Sequence, residues 1–150
     1  MIQQLPPLAG LRVIESSILG PAAITTSFVD LGAEVIKVES PSGDYIREMT
    51  WPIIEGVSLM HYHLNRGKKS ITLDLKLEEA KQIYRDLVKD ADVVIEASKP
   101  GTLAKYGLGY EDLKKINPKI VFCTVSGYGM SGPYRDMPSH GIAYDTWSGA

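Results

Sequence analysis

A histidine near the end of the chain is the residue best suited to acid–base chemistry. His140 follows the apolar run Ile120–Ser126 and the glycine-rich segment Gly127–Pro133. An imidazole titrates close to neutral pH and can therefore serve as a general base. Ser139 before it also fits an ordinary helix start, with the hydroxyl as N-cap and the histidine bonded to backbone. From the residues alone, this structural interpretation is favoured.

The glycine-rich segment matches a dinucleotide-binding pattern only in part. Gly127–Gly132 has the G-x-G-x-x-G spacing and follows an apolar run. The mechanism of that motif requires the third glycine to lie in a helix whose N-terminus faces a pyrophosphate. Pro133, Pro138 and Gly141 interrupt such a helix, and no acidic residue follows in a second strand. The context therefore disfavours nicotinamide or flavin binding.

Two further groups of residues have a chemical and a plain interpretation. Three cations in the turn Asn65–Ser70 could hold phosphate, but a solvated connection is favoured because charge runs usually face water. His61 and His63 would point the same way on a strand and could share a metal ion. No third ligand has supporting spacing, so we favour hydrogen-bonded or surface histidines and predict no metal site.

The elements that must position these residues alternate between strands and helices, with one irregular excursion at 39–64. Such alternation with short connections predicts a parallel, doubly wound α/β sheet, whose ligands bind at the carboxyl ends of the strands. The loops at 16–20, 39–64, 97–105 and 127–141 should meet at that edge. Strands are predicted at Leu11–Glu15, Glu34–Val38, Ile71–Leu75, Asp92–Glu96 and from Ile120, and helices at Pro21–Leu31, Glu78–Asp90, around Leu103 and at Tyr110–Ile116.

Composition fits one globular domain of 150 residues, with 44% hydrophobic and 23% charged residues. Sixteen basic against eighteen acidic residues, without a basic stripe, argue against nucleic acid as a partner. The single cysteine, Cys123, excludes an internal disulfide and is predicted to be a buried thiol in a reducing compartment. No window approaches a membrane span and no leader pattern is evident, so a cytoplasmic location without membrane contact is expected.

The order of short motifs closely resembles the N-terminal part of family III coenzyme A transferases. That family includes formyl-CoA transferase, carnitine CoA-transferase and α-methylacyl-CoA racemase. The resemblance extends over nearly the whole chain, which makes it more specific than any single motif. The segments that carry it are Leu8–Glu15, Leu31–Glu39, Asn65–Asp74, Ala91–Glu96, Pro100–Gly101, Gly107–Gly109, Asn117–Pro118 and Ser126–Pro133.

The resemblance implies a Rossmann-like large domain, of which residues 1–150 would form the N-terminal part. The rest of that domain and a smaller domain are expected beyond Ala150, and the full-length enzyme is expected to be an interlocked homodimer. Acyl-CoA and a carboxylic acid would be substrates, with no permanently bound cofactor. By the same resemblance, six residues line the coenzyme A site: Leu73, Lys76, Ala97, Ser98, Lys105 and Tyr106.

The predicted α/β sheet independently places five lysines at strand ends, where a nucleotide diphosphate needs cations: Lys68, Lys69, Lys76, Lys99 and Lys105. Three departures from the family pattern concern the adenine end of the site. Ser40 stands where some members have an arginine, Ala97–Ser98 replaces a frequent asparagine–aromatic pair, and the loop Ser16–Pro21 is too short to assign the family's glutamine contact.

The leading hypothesis is a CoA transferase that works through aspartyl anhydride and thioester intermediates. The family's catalytic aspartate would lie after Ala150, so this chain alone is expected to be inactive. His140 matches the racemase's histidine base, which leaves an acyl-CoA racemase or isomerase as the first alternative. A fragment that only binds coenzyme A or dimerises is the second.

Asp145 is a candidate for a missing carboxylate. Both the racemase and the formyl transferase have a carboxylate where this chain has Gly141. If a helix begins at Ser139, Asp145 lies one turn after Gly141 on the same face.

We therefore predict that Asp145→Ala in the full-length enzyme lowers turnover beyond its effect on stability, as measured by steady-state kinetics alongside thermal unfolding. Unchanged kinetics would remove Asp145 from the site.

Overall fold

A computed structural model describes residues 5–138 and 141–149. In chain order the elements are β1 (Arg12–Ser16), α1 (Gly20–Asp30), β2 (Glu34–Glu39), β3 (Pro52–Ile54), β4 (Val57–Ser58), α2 (Leu59–Asn65), β5 (Lys69–Thr72), α3 (Glu78–Lys89), β6 (Val93–Glu96), α4 (Thr102–Lys105), α5 (Tyr110–Ile116), β7 (Val121–Thr124) and α6 (Gly141–Ser148). A single 3₁₀ turn occupies Tyr45–Arg47.

Five of these strands form one parallel sheet in the order β5-β2-β1-β6-β7. The two earliest strands lie in the middle, and the chain adds strands outward on both sides. This arrangement confirms the predicted α/β class, a Rossmann-like parallel sheet flanked by helices. It also brings the carboxyl ends of all five strands to one edge, which we call the carboxyl edge.

One face of the sheet carries the larger core. Ile14 and Val94 are fully buried there against α3 and α5, whose Tyr84, Val88 and Leu113 are also fully buried. The amphipathic pattern of Glu78–Asp90 predicted this helix, and its acidic first turn complements the helix dipole. Because Tyr84 is enclosed, burial raises its pKa to about 12, and its hydroxyl contacts Ser16 Oγ at 3.2 Å.

The opposite face has a smaller apolar core, formed by Val13, Val35 and Ile95 against Phe28 and Val29 of α1. In a parallel sheet, residues in register across neighbouring strands share a face. The same face therefore includes Glu15 and Lys37, which are buried although charged.

The prediction that Cys123 is buried was wrong. Cys123 is in register with buried Ile95, yet it is exposed, and Val121 on the same face is 59% exposed. β7 is the edge strand on that side of the sheet, and the apolar core packed beneath α1 is centred on β1, β2 and β6. An apolar run predicts a strand, but its position in the sheet decides how many of its faces are covered.

The segment 39–64 contains more regular structure than the irregular excursion that was predicted. It holds the 3₁₀ turn, the β3–β4 hairpin and α2. Ser58 caps α2 by accepting a hydrogen bond from the His61 amide at 3.0 Å. None of the α2 residues is buried, so no apolar stripe marked the helix in the sequence.

Most other predicted elements are present within a residue or two of their predicted limits. α5 begins and ends where predicted, and a helix is present at Gly141–Ser148. Within the described ranges, no helix has the length and apolarity needed to cross a membrane.

The described core predicts that truncating two different leucines has very different effects on the free energy of unfolding. Leu113→Ala removes a fully buried side chain and should lower the free energy of unfolding by about 2–5 kcal/mol. Leu77→Ala, the same change at a side chain that is 56% exposed, should cost less than about 1 kcal/mol. Urea unfolding of both variants measures the two values, and equal losses would contradict this description of the core.

Candidate functional site

The carboxyl edge holds a cavity of about 310 Å³, which we call the β1–β2 cavity. Its lining comes from the loop after β1 (residues 16–18), the end of β2 and the following loop (within 37–44), the segment 73–76, and Tyr106. Two of the loops predicted to meet at this edge, 16–20 and 39–64, do contribute to one cavity. Its walls combine apolar side chains with buried charged groups.

Glu39 holds the loop that follows β2. Its carboxylate accepts hydrogen bonds from Arg47 Nε at 2.9 Å and Nη2 at 2.6 Å, from Ser70 Oγ at 2.7 Å and from the Asp44 amide at 3.0 Å. Burial alone would raise the pKa of Glu39, but the hydrogen bonds from Arg47, from Ser70 and from a backbone amide outweigh it and lower the pKa to about 2. Glu39 is therefore ionised at neutral pH.

A second charged cluster lies on the α1 side of the sheet, and two of its members, Lys37 and Asp44, line the cavity. The Lys37 ammonium is 3.1 Å from Glu15 Oε1 and 3.0 Å from Asp44 Oδ2. The latter contact lacks hydrogen-bond alignment and is electrostatic. The Lys68 ammonium is 2.8 Å from Glu15 Oε2. All four side chains are at most 2% exposed, so each charge depends on its partners for compensation.

The predicted coenzyme A residues divide into two groups. Leu73, Lys76 and Tyr106 line the β1–β2 cavity. Ala97 and Ser98 follow β6 and Lys105 ends α4, and the lining of this cavity does not include them. Ser98 instead donates from its amide, at 2.8 Å, and from its hydroxyl to Glu96 Oε2.

The lysines predicted to face a diphosphate also divide. Lys68 is buried and paired, so neither the phosphate interpretation nor the solvated interpretation of the basic turn is correct for it. Lys69 begins β5, at the edge opposite the cavity, and pairs with Glu34. Lys99 and Lys105 are exposed and do not line the cavity. Lys76 is exposed at the cavity wall, and no carboxylate of the described residues pairs with its ammonium.

A second cavity of about 320 Å³, the β6–β7 cavity, lies between the ends of those two strands. Its lining includes the buried carboxylate of Glu96, Thr124, the aromatic rings of Tyr110 and Phe122, and Met130 from the glycine-rich segment. Ser16, which lines the first cavity, is in register with Glu96. The two cavities therefore occupy neighbouring parts of one edge.

The glycine-rich segment forms bends and turns after β7 instead of a helix start. Gly129 and Gly132 have positive φ angles of 85° and 89°, conformations that favour glycine. The geometry of a dinucleotide-binding helix start is therefore not formed at Gly127–Gly132.

Of the two predicted catalytic residues, His140 lies outside the described residues. Asp145 lies in α6, is exposed, and belongs to the lining of neither cavity.

His61 and His63 lie on α2, not on a strand, so their spacing of two does not place them on one face. Burial lowers the pKa of His61, and its Nδ1 contacts Asn65 Nδ2 at 3.1 Å. No group of three or more His, Cys, Asp or Glu side chains in residues 5–138 and 141–149 is placed to hold a metal ion.

Sequence reasoning missed the contribution of Ser17, Lys37 and Asp44 to the cavity. Lys37 lies within β2, between apolar neighbours in the sequence. Asp44 precedes the 3₁₀ turn and caps it by accepting a hydrogen bond from the Ile46 amide at 3.1 Å. A lysine within a strand that is otherwise buried is a signal that a carboxylate must lie opposite it.

These features define an α/β protein with a Rossmann-like parallel sheet and two cavities at its carboxyl edge. The chain belongs to CoA-transferase family III, whose family model matches residues 8–150.

The relatives and solved structures agree with this assignment. A succinate–glutarate CoA-transferase of Agrobacterium fabrum is 45% identical over 96% of this chain and 38% of its own length. The mouse succinyl-CoA:glutarate CoA-transferase is 41% identical over 96% of this chain and 33% of its own. A crystal structure of a CaiB/BaiF family protein from Brucella suis has a TM-score of 0.89 at 44% identity, covering 97% of this chain and 40% of that one. The chain thus spans between about a third and two fifths of the length of these relatives.

The Glu39–Arg47 pair predicts an acid-dependent loss of stability. The folded-state pKa of Glu39 is depressed to about 2, so between about pH 4.5 and pH 2 the unfolded chain binds a proton that the folded chain does not. Stability from this group is present above that window and is lost as the pH falls through it. After allowance for solvent screening of the partly exposed Arg47, we expect a loss of about 2 kcal/mol.

The measurement is urea unfolding near pH 6 and near pH 3. Glu39→Gln should be destabilised near pH 6 and should differ less from the parent near pH 3, whereas the exposed control Glu55→Gln should follow the parent at both. A difference between Glu39→Gln and the parent that does not change with pH would refute this role.

Proposed function

We propose that the protein carrying this chain is a CoA transferase that moves coenzyme A from an acyl-CoA to a carboxylic acid. In this proposal the chain supplies the nucleotide-binding part of the coenzyme A site. The family supports transfer of coenzyme A in general, and both transferases described above are named for exchange between dicarboxylic acids. The observation that carries the proposal is that Leu73, Lys76 and Tyr106 meet in one cavity at the carboxyl edge.

The β1–β2 cavity has the chemistry that a nucleotide diphosphate requires. Leu73 and Tyr106 offer apolar and aromatic surface to a base, and Lys76 offers a cation whose charge is not already used by a carboxylate of the described residues. α1 begins at Gly20, directly after the loop that lines the cavity, so the positive end of its dipole lies at this edge. Because Lys37 is buried in ion pairs, Lys76 is the exposed cation among the described residues of the lining.

For the chemical step we propose a carboxylate nucleophile supplied from outside residues 1–150. This aspartate would attack the thioester carbonyl, expel the coenzyme A thiolate and form a mixed anhydride. The thiolate would then attack the aspartyl carbonyl and release the donor acid, which leaves an enzyme thioester. The acceptor carboxylate would repeat these two steps in reverse order, so a new acyl-CoA forms and the aspartate is regenerated.

Three wider expectations belong to the same proposal. The chain would be the N-terminal part of a large domain, the whole protein would be a homodimer, and it would act in the cytoplasm. Analytical ultracentrifugation of the whole protein tests the second of these.

The deciding experiment supplies the whole protein with succinyl-CoA and isotopically labelled glutarate. We expect label to enter the CoA thioester pool at a rate proportional to protein concentration. If proton exchange at the α-carbon occurs without transfer to any of a panel of acids, the racemase alternative replaces this proposal. Residues 1–150 alone should show no transfer, because the nucleophile is absent.

The binding part of the proposal predicts a difference between two exposed lysines. Lys76→Ala should weaken coenzyme A binding about tenfold, because it removes a charge-assisted contact to a phosphate. Lys119→Ala, at the start of β7 and the opposite edge, is the matched control and should bind as the parent does. Titration calorimetry measures both, and equal affinities would remove Lys76 from the site.

A further inference from the structure

The loop between β1 and α1 is held in a strained conformation. Leu19 has φ 51° and ψ −132°, a region that residues other than glycine rarely adopt. Such strain persists only where the surrounding contacts impose it, and it is common at ligand sites. Ser17 and Ile18, just before Leu19, line the β1–β2 cavity.

Two buried ammonium groups hold this loop from its two ends. Lys37 donates to the Ser17 carbonyl at 2.5 Å, and Lys68 donates to the Ala22 carbonyl at 2.8 Å. Leu19 lies between these two anchored carbonyls.

One carboxylate joins the two anchors. Glu15, which is fully buried, receives Lys37 at 3.1 Å on one oxygen and Lys68 at 2.8 Å on the other. Ser17 Oγ and Thr25 Oγ1 add hydrogen bonds of 2.9 and 2.5 Å to the same carboxylate. Several polar contacts of this cluster are thus directed to the loop or to the first turns of α1.

Lys68 also connects the loop to α2. Its ammonium contacts Asn65 Oδ1 at 3.1 Å, and Thr26 of α1 donates to the Leu64 carbonyl at 2.5 Å. Neither Lys68 nor Glu15 belongs to the lining of the cavity, so any effect of theirs on a ligand is indirect, through the loop or through Lys37, which does line it.

We infer that Glu15 and Lys68 are positioning residues for the β1–β2 cavity: together with Lys37 they clamp the segment Ser17–Ala22, the strained loop and the first residues of α1, in the shape that receives the ligand. This inference rests on the proposed function for the identity of that ligand, coenzyme A. These contacts keep the loop ordered before the ligand arrives, so the free energy of binding is not reduced by the entropy cost of ordering the loop.

The test compares affinity with stability in the whole protein. Lys68→Met keeps an apolar stem of similar length but removes the ammonium, and should weaken coenzyme A binding about tenfold in titration calorimetry while lowering the melting temperature. In Glu15→Gln/Lys68→Met the buried charge is balanced again, so the melting temperature should recover in part. The affinity should stay low, because the Ala22 carbonyl still lacks the Lys68 ammonium.

Two variants control for general destabilisation and for misfolding. Val88→Ala removes a fully buried side chain from the opposite core and should lower the melting temperature without changing the affinity. If Lys68→Met does not fold, Thr25→Val replaces it in the test. This variant keeps the shape of the side chain, removes one hydrogen-bond donor to Glu15, and should weaken coenzyme A binding by a smaller factor.

The outcomes separate this inference from the proposed function. If the parent protein does not bind coenzyme A, the proposed function fails. If the parent binds and all clamp variants bind equally well, or if Val88→Ala loses as much affinity as they do for the same fall in melting temperature, then Glu15 and Lys68 are structural only and the inference is overturned.

Discussion

The buried carboxylate of Glu15 is the centre of the charged interior, where it pairs with Lys37 and Lys68 and accepts hydrogen bonds from two hydroxyls. Removing ions from water is costly unless partners and hydrogen bonds compensate for the loss. That requirement draws together β1, β2, the start of α1 and the turn before β5, which are distant in the chain. Burial lowers the pKa of Lys68, and the adjacent Glu15 carboxylate opposes that shift.

A second constraint on the structure is the common direction of the strands in the sheet. Because its five strands are parallel, every loop that follows a strand emerges at the same edge. Charged side chains near the strand ends, Glu15 on β1, Glu39 on β2 and Glu96 on β6, therefore lie close to the loops that form the two cavities. The ion pairs hold those loops, and the loops leave Lys76 with its charge available at the cavity wall. In the proposed function Lys76 contacts the ligand directly, whereas the buried charges act on the loops around it.

Much of the architecture could be predicted from the sequence because local physics determines it. The 3.6-residue period of Glu78–Lys89 reflects burial of one helix face, and the β-branched runs around Val13, Val35 and Val94 reflect strands that are buried on both faces. Both patterns are visible in the order of residues. α2 was not predicted because none of its residues is buried, so its sequence has no helical period of apolar residues. Cys123 was predicted wrongly because an apolar run does not show whether its strand will lie at the centre or at the edge of the sheet.

The sequence by itself determined the α/β class, most element limits and the resemblance to family III coenzyme A transferases, since each of these follows from neighbouring residues or from motif order. Only the tertiary structure decided which charged residues line a cavity and which are buried in ion pairs. The basic turn was chemically ambiguous until Lys68 was found buried against Glu15, and among the predicted diphosphate cations only Lys76 proved to line the cavity. The physical reason is that the role of a charge depends on its partners and its exposure to water, which residues far apart in the chain provide.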